Sequence, residues 1–345
     1  MTSAVSGGFL SELIKFQNRI HEEKTVTVAR FICCVFFSVS CSSNATFSIA
    51  ACDKKTGICG YAVSTNNLAV GASVGTVVAK TGVVVSQFET HPQHGPRAFK
   101  KLADGQSTDS TLKHLLDTDG QFEGQGIEAR QIAIVHISGQ VSIHTGQTVK
   151  QSAWAGELQG DGYAIQGNGL HEAQVLQAMQ HTFLHHSGSL AERLLSTLEA
   201  GEAAGGQASG ALSAALMVKT PEGWPRDIDL RVDAAYDPVA ELRKLMNKQT
   251  ARQLMIAAER AFRKNKVDQA NAYLSRALML GYDWDRIWRR AARLAVAMQA
   301  HEQAVNYLSV FKAINPAWAA QEIQASHYDP LLKHPLFKQW RNEPE

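Results

Sequence analysis

One short apolar block limits where this fold can begin. Phe31 to Val39 is nine residues long, follows Arg30, and gives way to the small, polar stretch Ser40 to Asn44. Nine residues are too few for a permanent membrane span, which needs about 18. With Ser43 and Ala45 at −3 and −1, the block instead has the layout of a secretory signal peptide ending at Ala45. The mixed-charge stretch ahead of it reads as an over-long gene start or a cytoplasmic extension. A buried strand in an N-terminal arm and a lipoprotein anchor at Cys41 are the competing readings of the block. Cutting after Ala45 removes Cys33, Cys34 and Cys41 and leaves Cys52 and Cys59. An even pair suits an oxidising compartment. The expected location is periplasmic or secreted, or cytoplasmic if the segment is retained.

The remainder is long enough for one large core or two domains. Of 345 residues, 45% are hydrophobic and 19% charged, with a net charge of +2. That near-neutral balance argues against nucleic acid as a partner, because phosphate neutralisation needs a basic excess. No apolar run is long enough for a permanent membrane span.

From Thr46 the pattern is sheet. TFSIAAC and ICGYAVS flank a turn at Lys54 to Gly57, and folding about Lys55 and Thr56 sets Cys52 across from Cys59. The pair forms a disulfide or remains two buried thiols. LAVGASVG and GVVVSQ read as further strands, and QIAIVHISGQVSIHTG as a hairpin turning at Ser138 and Gly139. Helices are expected at Pro96–Leu102 and Ser110–Leu116. Another has Val175, Met179 and Phe183 on one face, and a fourth is capped by Ser189 with Glu192 three residues on. ALSAALMVK and the alternating DIDLRVD return to strand. Strands, helices and strands again give a layered α/β or α+β domain.

After about Lys248 the chain becomes alanine-rich and helical. QANAYLS at Gln269 repeats as QAVNYLS at Gln303, an offset of 34 residues, with Ala257 and Ala258 echoed by Ala291 and Ala292. This period resembles tetratricopeptide helix pairs. Two copies are fewer than such arrays need alone, so the tail should pack on the main domain, on a protein partner, or in a homo-oligomer.

The chemistry turns on Thr46. An N-terminal threonine offers its hydroxyl as nucleophile and its own α-amine as base; an internal threonine lacks that base. Cleavage after Ala45 would create the pair, whereas an uncut Thr46 is a first strand residue. At YAIQGN, Asn168 reads either as an oxyanion donor or as a turn residue capping the next helix.

These segments together are similar to the domain of unknown function 1028 family: TFSIAACDKKTGICGYAVST, LAVGASVGTVVAKTGVV, HPQHGPRAF, WAGELQGDGYAIQGN and DIDLRVDAAYDPVAELRKL. The resemblance implies a fold like the N-terminal nucleophile hydrolases, a four-layer αββα sandwich over 46–246, between the extension 1–45 and the helical tail 247–345. It implies support of the nucleophile by Ser64, by Asn66 or Asn67, and by Lys80, which reads equally as a surface lysine. It sets Arg97 and His94 at the cleft, with Glu89 and His91 nearby, Arg97 suited to clamp a carboxylate. The loop before Ser213 departs from relatives, having Gln207, Ala208 and Ser209 where they carry charges. Ser213 itself joins the substrate-side candidates. His91 and His94 lack a third ligand of known placement, so no metal is expected, and the chemistry needs no cofactor. The implied reaction is hydrolysis of a linear amide or small peptide. The rival is a non-catalytic extracytoplasmic binding or assembly module.

Overall fold

The structure is a computed structural model that describes residues 45–342. The signal-like block and Cys33, Cys34 and Cys41 lie outside the described residues.

Two antiparallel sheets form the centre of an α+β fold. The first contains β1 (Thr46–Asp53), β2 (Ile58–Thr65), β7 (Trp154–Gly160), β8 (Tyr163–Leu170), β9 (Ser213–Lys219) and β10 (Ile228–Val232), in the order β10-β9-β2-β1-β8-β7. The second contains β3 (Gly75–Val78), β4 (Gly82–Phe88), β5 (Arg130–His136) and β6 (Val141–Thr145), in that order. Strand alternation sends successive side chains to opposite faces. On β1, Ala50 and Cys52 pack inward against Val83, Val85 and Val135 of the second sheet. Phe47, Ile49 and Ala51 point outward.

Helices cover both outer faces. The outward residues of β1 meet α4 (Gln174–His185) and α5 (Leu190–Ala203), through Val175, Met179 and Phe183 of α4 and Leu194 and Leu198 of α5. Ser189 caps α5, its hydroxyl accepting the Glu192 amide. Under the second sheet, α1 (His94–Ala103) and α2 (Thr108–Asp117) cover Val84, Ile132 and Ile134. A short α3 (Gln147–Lys150) leads into β7.

The β1–β2 register sets Cys52 opposite Cys59, and the two are disulfide-bonded with Cα atoms 4.1 Å apart. One expected strand is replaced. Val70–Ala72 is a 3-10 turn entered through Ala69 at φ 52°. Gly71 is pressed against β9, where an added Cβ would meet the Ala215 Cβ at 2.6 Å, and the Ser213 hydroxyl takes the Val70 amide at 3.1 Å.

The C-terminal region is helical. The 26-residue α6 (Pro238–Arg263) is about 39 Å long at 1.5 Å per residue. Its first half buries Val239, Leu242 and Met246 against the first sheet and α5. There Arg243 bonds Glu199 at 2.6 Å and Glu192 at 2.5 Å. Its second half buries Ala251, Met255 and Ala258 among later helices. The expected boundary at 246/247 therefore falls inside one continuous helix. Then come α7 (Val267–Leu280), α8 (Asp285–Ala297), α9 (His301–Ile314), α10 (Pro316–Glu322) and α11 (Pro335–Asn342). Helices α7 and α9 have the same length and start 34 residues apart. Among the described residues no helix is long and apolar enough to cross a membrane.

Candidate active site

Thr46 opens β1 with its side chain on the inner face, between the sheets, and is 4% exposed. Its partners come from two neighbouring strands of the first sheet and one of the second. Across from it in register lie Thr65 on β2 and Asn168 on β8. The Thr46 N–H donates to Asn168 Oδ1 at 3.0 Å. The two threonine hydroxyls are 3.0 Å apart, and Thr65 Oγ1 donates to the Ala45 carbonyl at 2.7 Å. A hydroxyl has one hydrogen to give. With the Thr65 hydrogen committed to Ala45, the Thr46 hydroxyl must be the donor to Thr65.

Two glutamines from the second sheet tie this group down. Gln87 on β4 and Gln131 on β5 are direct register partners. Gln87 Nε2 donates to the Thr46 carbonyl at 3.3 Å and to Gln131 Oε1 at 2.8 Å, and Gln87 Oε1 accepts from Ser48 at 2.7 Å. Gln131 Oε1 also accepts from Asn168 Nδ2 at 2.9 Å. Gln131 Nε2 reaches Thr145 Oγ1 at 3.2 Å and the carbonyls of Gly167 at 3.2 Å and Gly156 at 3.3 Å. Thr145 passes its own hydrogen to Glu157. The result is a buried, almost entirely uncharged network whose members hold one another in single orientations. It fixes the Thr46 hydroxyl and the Thr46 backbone N–H, each through a hydrogen bond to a neighbouring strand.

Of the other expected site residues, Asn168 and Asn67 lie at Thr46 or beside it, and the rest lie farther off. Asn168 sits within β8 rather than in a turn beyond it, and it holds the Thr46 nitrogen through its oxygen while one side-chain N–H is given to Gln131. Asn67 is beside the site through its backbone, which donates to Thr65 Oγ1 at 3.4 Å. Ser213, paired with Thr65, gives its hydroxyl to the Asn67 carbonyl at 2.6 Å and so pins the loop after β2. Asn66 bonds Ser209 at 2.8 Å on the exposed rim. Ser64 is corrected: one residue from Thr65, it faces outward with Phe47, on the side away from the Thr46 hydroxyl. Lys80 is corrected as well. It is exposed beside Gly57, whose carbonyl accepts its amide at 2.9 Å, at the far end of β1. Seven strand steps separate that end from Thr46, about 23 Å.

Glu89, His91, His94 and Arg97 are not at the cleft. Because Gln87 points inward, Ser86 points outward, and the HPQHGPR segment closes over the outer face of the second sheet beneath α1. Ser86 Oγ is 2.9 Å from His94 Nδ1, and His94 Nε2 is 3.2 Å from Asp119 Oδ1. His91 takes the Gln93 amide on Nδ1 at 3.1 Å, so its Nε2 carries the hydrogen given to the Asp119 carbonyl at 3.0 Å. Arg130, 1% exposed, donates to Asp119 through Nε at 3.0 Å and to the Glu89 carbonyl at 2.7 Å. Arg97 bonds the Thr118 carbonyl at 2.7 Å. Burial, with the neighbouring His91, pushes His94 down to about 4 against the pull of Asp119. Burial alone would raise Asp119, but the hydrogen bond and charge of Arg130 outweigh it and hold the carboxyl below its usual value.

His91, His94 and Asp119 have the donor types and closeness of a metal site. Both His91 nitrogens are occupied by backbone bonds, however, and Arg130 already neutralises Asp119. A cation there would displace or oppose that guanidinium, so the donor set does not fit a metal.

Thr65, Gln87, Gln131, Ser48, Thr145 and Glu157 are the members that the sequence reading did not name. Thr65 was accessible in principle: the register that opposes Cys52 and Cys59 also opposes Thr46 and Thr65. The glutamines stand out only as lone amides inside the apolar runs GVVVSQF and RQIAIVH.

No curated protein matches the sequence. The crystal structure of protein SPO2555 from Silicibacter pomeroyi, itself described by the same family model, is similar at 30% identity. The match covers 60% of this chain and 86% of that one, with a TM-score of 0.53. The family model described as "Family of unknown function (DUF1028)" matches residues 46–242, more than half of the sequence, and the chain belongs to that family.

Proposed function

We propose that this protein is an amide hydrolase whose nucleophile is Thr46, exposed as an N-terminal residue when the signal-like segment is removed. One observation carries the reading. Thr46 begins β1 between two helix-covered sheets, with its nitrogen held by Asn168 and its hydroxyl held by Thr65. This order of layers and the position of Thr46 support the likeness to N-terminal nucleophile hydrolases.

In the proposed reaction the freed α-amine, held by Asn168 Oδ1, takes the proton from Thr46 Oγ1 as the oxygen attacks an amide carbonyl. Thr65, released from Ala45 by the cut, becomes a hydroxyl donor for the substrate carbonyl oxygen. The protonated amine returns its proton to the leaving amine, and water then hydrolyses the ester. This assigns Asn168 to the amine rather than to the oxyanion. No lysine takes part. Gln87 and Gln131 position the group without touching substrate.

The 34-residue step between α7 and α9 supports the tetratricopeptide-like reading of the tail. Export of the mature chain to the periplasm or beyond follows from the same cut. Both belong to the proposal.

The test compares three proteins on a panel of short peptide amides: the chain beginning at Thr46, the same chain as Thr46→Ala, and the chain retaining residues before Thr46. Turnover confined to the first, with all three folded, is the expected result. Equal turnover in the Thr46→Ala protein would overturn the assignment. A folded first protein without turnover on any amide would favour the binding or assembly module.

A further inference from the structure

The helical tail differs from the rest of the chain in charge. Residues 247–345 carry 15 Lys and Arg against nine Asp and Glu, whereas residues 1–246 carry 19 against 23. The excess is concentrated in one place. Arg286, Arg289, Arg290 and Arg293 follow one another at helical spacings of three and four, which sets them on one face of α8. Facing them on α6 are Arg252 and Arg263. Two cavities of about 450 Å³ each run between these helices and share Arg289 and Arg290 as a common wall.

The trench holds an unneutralised charge. Arg290 is paired with Glu259 at 2.8 Å, and Arg289 and Arg293 converge on Glu322. Six guanidiniums thus face two carboxylates. Among the described residues Arg252 and Arg263 have no acidic partner, and Arg289 Nε is buried without a hydrogen-bond partner. The floor is different in kind: Ile256, Ile287 and Leu294 are apolar, and Trp284 lines one cavity and Phe262 the other.

We propose that this trench binds an extended peptide segment in which acidic and aliphatic residues alternate. Eleven helical steps from Arg252 to Arg263 span about 16 Å, room for about five extended residues. A strand repeats side chains on each face about every 6.8 Å, close to the spacing of neighbouring guanidiniums on one helix face. Carboxylates can therefore meet the rows while aliphatic side chains enter the floor. A single-stranded nucleic acid would also meet the charge, but it binds by stacking bases on exposed rings. Each cavity has a single half-buried ring, Trp284 in one and Phe262 in the other, with aliphatic residues between, too few to stack a run of bases.

The experiment is fluorescence anisotropy with the full chain and three labelled probes: an octapeptide alternating Asp and Leu, its Asn-Leu counterpart, and an eight-nucleotide oligothymidine. Arg252→Glu and Arg263→Glu are the variants, since neither breaks an internal ion pair. The Asp-Leu peptide should bind saturably and tighter than both other probes, and more weakly as salt rises. Each reversal should weaken it by about tenfold while the melting temperature holds. The proposal is overturned if the Asn-Leu peptide binds equally well, if the oligonucleotide binds as tightly, if neither reversal matters, or if no probe saturates.

Discussion

Strands β4 and β5 carry two buried polar groups on opposite faces, and the groups differ in almost every respect. The inner one is built on Gln87 and Gln131, is essentially uncharged, and reaches Thr46. The outer one, built on Ser86 and Arg130, holds a buried carboxylate, a guanidinium and two imidazoles beneath α1 and α2. The charged group looks more like an active site by residue type, yet it is buried, and Arg130 and His91 give their hydrogens to Asp119 and to backbone carbonyls. The neutral group ends at Thr46, the first residue of β1, which is itself only 4% exposed. Polar residues inside a fold reveal chemistry through what they leave unspent, not through their charge.

The largest expected effect lies in the outer group. Arg130→Ala leaves Asp119 buried without its counter-charge and frees the carbonyls of Glu89, Phe122 and Gln125. Breaking a buried pair in this way costs about 3–5 kcal/mol. Urea unfolding should show that loss. A loss below about 1 kcal/mol would mean that the outer group is not a structural clamp.

Next comes the inner group. Gln131→Leu keeps the volume but removes the acceptor shared by Gln87 Nε2 and Asn168 Nδ2. Two buried donors then lose a partner, at about 1–3 kcal/mol. Because Asn168 also holds the Thr46 nitrogen, this variant should lower amide turnover as well, whereas Arg130 variants that remain folded should act mainly on stability. Equal effects of both substitutions on turnover would erase the functional distinction between the faces.

A pH series separates the groups with less intervention. His94 is pushed down to about 4 in the folded protein from an ordinary value of about 6.5. Between those values the unfolded chain binds more protons, so stability is full above about 6.5 and falls as the pH drops towards 4. From pH 8 to 5.5 the loss should be about 1.4 kcal/mol. Asp119 is also held low, so its contribution is lost only at still lower pH. In the chain that retains residues before Thr46, the amides and hydroxyls of the inner group do not titrate in this window. His94→Gln should therefore flatten the stability profile, as followed by denaturant midpoint, and a profile unchanged by that substitution would place the acid sensitivity elsewhere.

Much of this frame is legible in the sequence because it is local. The turn at Lys54 to Gly57 sets the β1–β2 register, and that register brings Cys52 to Cys59. Ser189 and Glu192 mark a helix start three residues apart. Parity also settles which side chains share a face, and it separates Ser64 from Thr65. It does not say which surface that face will meet. For that reason HPQHGPR, with two histidines and an arginine, reads as a cleft motif although it folds onto the outer side. The pairing of Gln131 with Asn168 depends on two sheets meeting across 37 positions of sequence, and no periodicity in either strand encodes it.

The smallest expected effect sharpens the comparison within the inner face itself. Gln166 lies on β8 two residues before Asn168, opposite Ser48 in register, and is 1% exposed. Unlike Gln131, neither atom of its amide has a hydrogen-bond partner among the described residues. Replacing an amide that makes no bonds by an apolar side chain of similar shape removes a desolvation cost and strands no neighbour. Gln166→Leu should thus change stability by no more than about 0.5 kcal/mol, or raise it, where Gln131→Leu lowers it. The two substitutions are chemically identical and occur on facing sheets, so an unfolding midpoint for each isolates the network from mere burial. A loss at Gln166 as large as at Gln131 would show that any amide on this face contributes, and the network would then have no special claim to hold Thr46.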